Sequence, residues 1–174
     1  RSIHTHPDPI LRQKAKKVPF VDESIKLLVT DMIETMKVNN GCGLAAPQVG
    51  VALRCIVLNV PEEEPFAVIN PEIVKRVGQR EVEEGCLSVP HLYGEVKRSV
   101  SVIVKGLDQN GNPIRIKGGE LLGQALEHEI DHLNGVLFID RIDSPDKLHR
   151  HDPPAEVNTT DLLEPVEDWH RLEQ

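Results

Sequence analysis

Residues 120–133 read ELLGQALEHEIDHL. Leu121, Leu122, Ala125, Leu126, Glu129 and His132 recur there at three- and four-residue spacing, which predicts a helix with these side chains near one face. Gly118 and Gly119 break the chain before this segment and Gly135 ends it. An otherwise apolar face that carries Glu and His is unusual, because such groups are costly to bury without a partner. His128 and His132 are four residues apart, just over one helical turn, so both imidazoles project from the same side.

Upstream, the hydrophobic period changes. Leu53 to Val60 is apolar and β-branched and predicts a strand. Further strands are expected at Phe66–Ile69, Glu72–Val77, Gln79–Glu83, Ser99–Leu107 and Pro113–Lys117, the last two joined by a turn at Asp108–Gly111. Before them, Asp22 is an N-cap for a helix whose buried face is Ile25, Leu28, Val29, Met32, Ile33 and Met36, stopped by Asn39, Asn40 and Gly41. Asp8 to Lys17 predicts another short helix. Strands crowded between helices, rather than alternating with them, define an α+β class.

The chain has 174 residues, the size of one domain with a core of its own. Aromatics are only 3%, so aliphatic side chains must fill that core. Net charge is −8, and Asp143 to Gln174 carries nine acidic residues against three Lys or Arg. That balance argues against direct nucleic-acid readout, which needs a basic face. Three cysteines, Cys42, Cys55 and Cys86, do not make a disulfide framework. No apolar run is long enough to span a membrane, and no signal segment is visible at Arg1.

His128-Glu129-Ile130-Asp131-His132 fits HExxH, in which two imidazoles chelate one metal ion and the adjacent carboxylate takes a proton from a water beside it. Without a metal, the same groups would have to be satisfied core polar residues. A catalytic site usually needs a third protein ligand. The extended metzincin pattern is in register at Gly135, but its last position is Phe138, which cannot ligate. The best source of the third ligand is Cys86, in Glu84-Gly85-Cys86-Leu87-Ser88-Val89-Pro90, although a lone cysteine is more often a small buried hydrophobe. Gly41 to Gly50 is dominated by small residues and contains Gln48, an amide donor; it reads as a close-approach loop or as an ordinary turn. Arg98 is a partner for an acid such as Glu84, a contact for bound substrate, or a surface residue at a strand start. Cys42 and Cys55 have packing or surface roles.

Together these segments resemble the three motifs of the peptide deformylase family: GxGLAAxQ at Gly41 to Gln48, EGCLS at Glu84 to Ser88, and HExxH at His128 to His132. The similarity extends from His6-Pro7-Asp8-Pro9-Ile10-Leu11-Arg12 to about Arg141, and Tyr93 to Arg98 resembles the bacterial and organellar type. The resemblance implies mostly antiparallel sheets around a central HExxH helix. The acidic, Pro-containing composition of 143–174 predicts a tail, loosely ordered or a surface helix, that no motif covers; the resemblance implies a catalytic domain at 1–142. It implies one divalent ion on Cys86, His128 and His132, with Fe2+ in the cell and Zn2+ or Ni2+ as substitutes. Glu129 would move protons, while Gln48 and the Leu87 backbone N–H would hold the formyl oxygen. Gly43, Leu44, Gly85, Tyr93 and Leu126 would contact the substrate.

The expected reaction removes the N-formyl group from formylmethionine at the start of nascent polypeptides, releasing formate. Implied partners are the formyl-Met peptide and the ribosome, with no membrane; the implied compartment is bacterial cytoplasm, or an organelle as the alternative. Two other readings stay open: an HExxH zinc endopeptidase with Glu156 or Glu164 as its third ligand, and a non-catalytic metal-binding module.

Overall fold

The computed structural model describes residues 1–151. Asp22 caps helix α1 (Glu23–Val38) by accepting the Ile25 N–H at 3.1 Å, and Ile25, Leu28, Val29, Met32 and Met36 are buried as their spacing predicts. Then come β1 (Gly43–Ala45), β2 (Cys55–Leu58), β3 (Phe66–Val77), β4 (Arg80–Cys86), β5 (Val89–Arg98), β6 (Ser101–Leu107), β7 (Pro113–Gly119), helix α2 (Glu120–Leu133) and β8 (Leu148–Arg150). The strands form a five-stranded sheet in the order β1-β2-β3-β6-β7 and a three-stranded sheet in the order β4-β5-β8, every pair antiparallel. The α+β single-domain expectation holds.

Strand alternation sets the layers. On β2, Cys55 and Val57 face the core shared with α1, while Ile56 and Leu58 face the core shared with α2. The two helices therefore cover opposite faces of the larger sheet. Every residue of α2 from Gly123 to Leu133 is buried, because a third cluster of Leu11, Cys86, Val89, Val96, Leu137 and Phe138 closes over the smaller sheet. Phe138 is thus a core side chain at 1% exposure, which explains why that position carries no histidine.

Four elements differ from expectation. The helix expected over Asp8 to Lys17 is only a 3-10 turn, Pro9–Arg12, because the N–H groups of Ala15 and Lys16 donate to the carbonyls of Leu133 and Ala52 instead of to their own turn. The strands expected at Phe66–Ile69 and Glu72–Val77 are one, β3, interrupted by a register shift at Asn70 and Pro71. Proline has no N–H for the ladder, and a bulge is where a strand tolerates it. Strand β5 was not foreseen; Pro90, Gly94 and its charged outer residues hide the alternation. The tail expected from Asp143 begins, in its described part, as a turn at Pro145–Lys147 and strand β8 on β5; its remainder lies outside the described residues.

Gly135, which stops α2, sits at φ +74, where side chains are strained, and a Cβ there would lie 2.5 Å from the Arg12 carbonyl oxygen. Gly135→Ala is expected to lower the unfolding free energy by about 1–3 kcal/mol. Urea unfolding checks this, and an unchanged midpoint would contradict it.

Candidate metal centre

His128 and His132 project from α2 toward the end of β4, where a register shift between Gly85 and Cys86 turns the strand. The ligand atoms of Cys86, His128 and His132 lie within 4.8 Å of one another and all three residues are buried. Cys86 Sγ is 3.3 Å from His132 Nε2. The two imidazoles meet edge to face, centroids 5.0 Å apart.

Two further motif residues border this cluster. Gln48 sits in the 3-10 turn Ala46–Val49 after β1. Its Oε1 accepts the Ala45 N–H at 2.9 Å, and its Nε2 points at Ser88 Oγ (3.1 Å) and Cys86 Sγ (3.6 Å). Glu129 is 1% exposed, with Oε2 4.0 Å from His128 Nε2. A Cβ on Gly43 would lie 2.5 Å from Glu129 Oε2, so only glycine leaves room for this carboxylate. The small-residue loop is a close-approach loop, as one of its two readings had it.

A second layer holds His128. Its Nδ1 meets Glu84 Oε2 at 2.9 Å, which directs Nε2 to the cluster. Glu84 is fully buried and chelated by Arg98 through Nε (2.8 Å) and Nη2 (2.6 Å). Arg98 Nη1 donates to Asp131 Oδ2 at 2.7 Å, and Arg141 binds the same carboxylate through two bonds of 2.6 and 2.7 Å. Of the three readings of Arg98, the partner of an acid such as Glu84 is the one found. The contacts of Glu84 with His128, of Ser88 with Gln48 and of Arg141 with Asp131 were missed by sequence reasoning, since nothing in spacing brings these pairs together. The acidic Asp131 inside a buried helical face was the one available signal.

Burial would push Glu84 up, but the His128 and Arg98 charges outweigh it and hold its carboxyl below the usual range. Burial pushes Glu129 up to about 7, beyond what His128 opposes. Burial, and then repulsion from His128, drives His132 well below the ordinary histidine value and favours the neutral ring that ligation requires; at His128 burial is outweighed by the Glu84 and Glu129 carboxylates, which raise it well above that value, so a cation bound there has to displace its proton. Burial alone raises the Cys55 thiol to about 12, in keeping with a packing residue.

The remaining expected contacts are dispersed. Leu87 follows Cys86 in the two-residue turn into β5, with its side chain 3.5 Å from the Cβ position of Gly41. Gly85 pairs across the sheet with Tyr93, whose ring packs on His149 and His151 at 5.1 and 4.5 Å. The side chains of Leu44 and Leu126 are fully buried in the α1 and α2 cores, not in a cleft. Glu156 and Glu164, the acids that an endopeptidase reading needs, lie outside the described residues.

One cysteine sulfur and two imidazoles converging on one point suit a transition-metal dication, and the buried Glu129 Oε1 beside them has no hydrogen-bond partner. A carboxylate and an amide donor flanking such a centre define a metal-dependent hydrolase. A family model described as polypeptide deformylase matches residues 1–148. The chain is 53% identical over 158 residues to the peptide deformylase of Dehalococcoides mccartyi (strain CBDB1), covering 90% of this chain and 95% of that one. The crystal structure of a peptide deformylase from Legionella pneumophila superposes with a TM-score of 0.80 at 49% identity, over 83% of this chain and 86% of that one. One from Synechococcus elongatus, in complex with actinonin, gives 0.80 at 41% identity, over 83% and 79%. The chain belongs to the peptide deformylase family. Its activity is removal of the N-formyl group from nascent peptides. No helix among the described residues is long and apolar enough to cross a membrane.

Gly43→Ala is expected to displace Glu129 and lower kcat about 100-fold, since a misplacement near 1 Å costs that much, with bound metal retained; wild-type kcat would refute the packing argument. Arg98→Met leaves Glu84 buried without its cation and should cost about 3–5 kcal/mol by chemical denaturation at neutral pH.

Proposed function

We propose that Cys86, His128 and His132 hold one divalent ion, that Glu129 carries the protons, and that Gln48 with the Leu87 backbone N–H binds the formyl oxygen as charge develops on it. The observation that carries this reading is the convergence of two separate chain segments, the end of β4 and helix α2, on one buried point, with Glu129 and, from a third segment, Gln48 beside it. A cation held there supplies Lewis acidity and makes water a nucleophile near neutral pH.

This chain's own groups do the rest. Glu129, its proton affinity raised by burial, accepts the proton of the attacking water and delivers it to the leaving nitrogen. The formyl C–N bond breaks, giving formate and a free N-terminus. Gln48 is orientated before substrate arrives, since its Oε1 is tied to Ala45 and its Nε2 thereby faces Cys86. A donor fixed in this way costs no reorganisation during reaction. Gly43, Leu44, Gly85, Tyr93 and Leu126 line the approach of a formyl-Met peptide. Leu44 and Leu126 do so through backbone or through the shape of the packed wall, because their side chains belong to the core.

A Cys-His-His donor set accepts several dications; Fe2+ is the proposed ion in the cell, with Zn2+ or Ni2+ as substitutes. The compartment is bacterial cytoplasm, and the substrate is met at the ribosome. Residues 1–142 are the catalytic domain and 143–174 the acidic tail.

Protein purified without oxygen should release formate from formyl-Met-Ala. Glu129→Ala should lower that rate by about 10²–10⁴-fold, the usual contribution of a positioned acid–base group, while keeping its metal. A metal-loaded wild type that releases no formate would sink the proposal.

A further inference from the structure

None of the steps above uses the N-terminal arm, yet it touches two of the three motif segments and the helix end directly after the third. The His4 N–H donates to the Gln48 carbonyl at 2.8 Å, at the end of the first motif. The His6 N–H donates to the Ser88 carbonyl at 2.7 Å, at the end of the second. The Ala15 N–H donates to the Leu133 carbonyl at 2.8 Å, directly after His132, and Arg12 Nη1 reaches the Gly135 carbonyl at 3.3 Å. Each acceptor lies in a turn or at a helix end, where backbone carbonyls lack partners of their own.

The arm is itself anchored. Ile3 packs on the α1 core, and Leu11, fully buried, packs in the cluster that contains Cys86. Asp8 accepts from the Ile10 N–H at 3.1 Å and pairs with His4 Nδ1 at 2.7 Å. A second Arg12 bond, from Nη2 to Asp140 Oδ1, measures 3.1 Å. Between His4 and His6 this anchored chain grips the backbones of Gln48 and Ser88, whose side chains meet at 3.1 Å beside Cys86. The Gln48 turn and the Cys86–Ser88 turn belong to different sheets, so two backbone bonds only two residues apart constrain their separation.

We propose that residues 3–15 are a positioning strap: the backbone donors of His4 and His6 set the spacing of the Gln48 turn from the Cys86–Ser88 turn, and so aim the Gln48 amide at the substrate oxygen. The strap rests on the reading of Gln48 made above. His4 and His6 are positioning residues that act through main-chain N–H groups, so their side chains are dispensable for this role.

The test compares His4→Pro, which removes the donor to Gln48, with His4→Ala, which keeps it and loses only the imidazole. With formyl-Met-Ala, His4→Pro is expected to show about tenfold lower kcat than His4→Ala, with KM and bound metal unchanged, the pattern of a misaligned transition-state contact. Amide hydrogen exchange at His6 should be faster in His4→Pro only. Because the strap acts through Gln48, adding His4→Pro to Gln48→Ala should bring less than about twofold further loss. Equal kcat in the two His4 variants overturns the strap, as does a full tenfold loss in the Gln48→Ala background. Wild-type turnover of Gln48→Ala alone would instead remove the Gln48 reading. If His4→Pro fails to fold, His6→Pro, which removes the donor to Ser88 instead, set beside His6→Ala, should give the same non-additivity with Gln48→Ala; additive losses there overturn the strap.

Discussion

A carboxylate with no exposure to water stands behind the metal-binding cluster. Glu84 can stay ionised at the end of β4 only because Arg98, from β5, and His128, from α2, both reach it. Burying such a charge without partners costs several kcal/mol. The network therefore ties the small sheet and the HExxH helix into one arrangement: Arg98 goes on to Asp131 of the same helix, and Arg141 closes on Asp131 from the segment after it. Asp131 is held below the usual carboxylate range because these two guanidiniums outweigh its burial. A group with a depressed folded-state pKa stabilises the fold above its unfolded pKa and loses that contribution as pH falls through its folded pKa.

From Gly123 to Leu133 the helix that carries the ligands is buried on every side. Its apolar residues face the larger sheet through Ala125, Leu126, Ile130 and Leu133, and its polar residues face the smaller sheet. Small residues make the close approaches possible. Gly43 leaves the volume that the Glu129 carboxylate fills, and Gly135 lets the chain turn sharply against Arg12. Backbone bonds from the arm and paired side chains from both sheets then surround the cluster. Glu129 Oε1 and His132 Nδ1 have no hydrogen-bond partner among the described residues.

Much of this was legible in order along the chain. Two helices at three- and four-residue spacing, a run of strands between them and three short motifs identified the class, the family and the cluster Cys86, His128 and His132. The family, and Cys86 as third ligand, rested on the resemblance of the three motifs; for the helices and the two histidines local physics suffices, through helical period, capping by Asp22, and donor atoms at i and i+4. It failed where tertiary partners outbid local preference, at Ala15 and Lys16, and where a strand wears charged and proline residues, at β5. Phe138 excluded one third ligand from sequence alone; that it is a core residue was visible only once folded.

The sequence by itself determined which atoms are available for chemistry and how those on α2 are spaced, because a helix converts sequence separation directly into geometry. Only the tertiary structure decided which distant groups meet them. That Glu84 orients His128, that Gly43 makes room for Glu129, that Gln48 finds Ser88, and that Leu44 and Leu126 turn inward all follow from sheet register and the packing of three cores. Those distances join residues 40 or more positions apart, and no local periodicity encodes them.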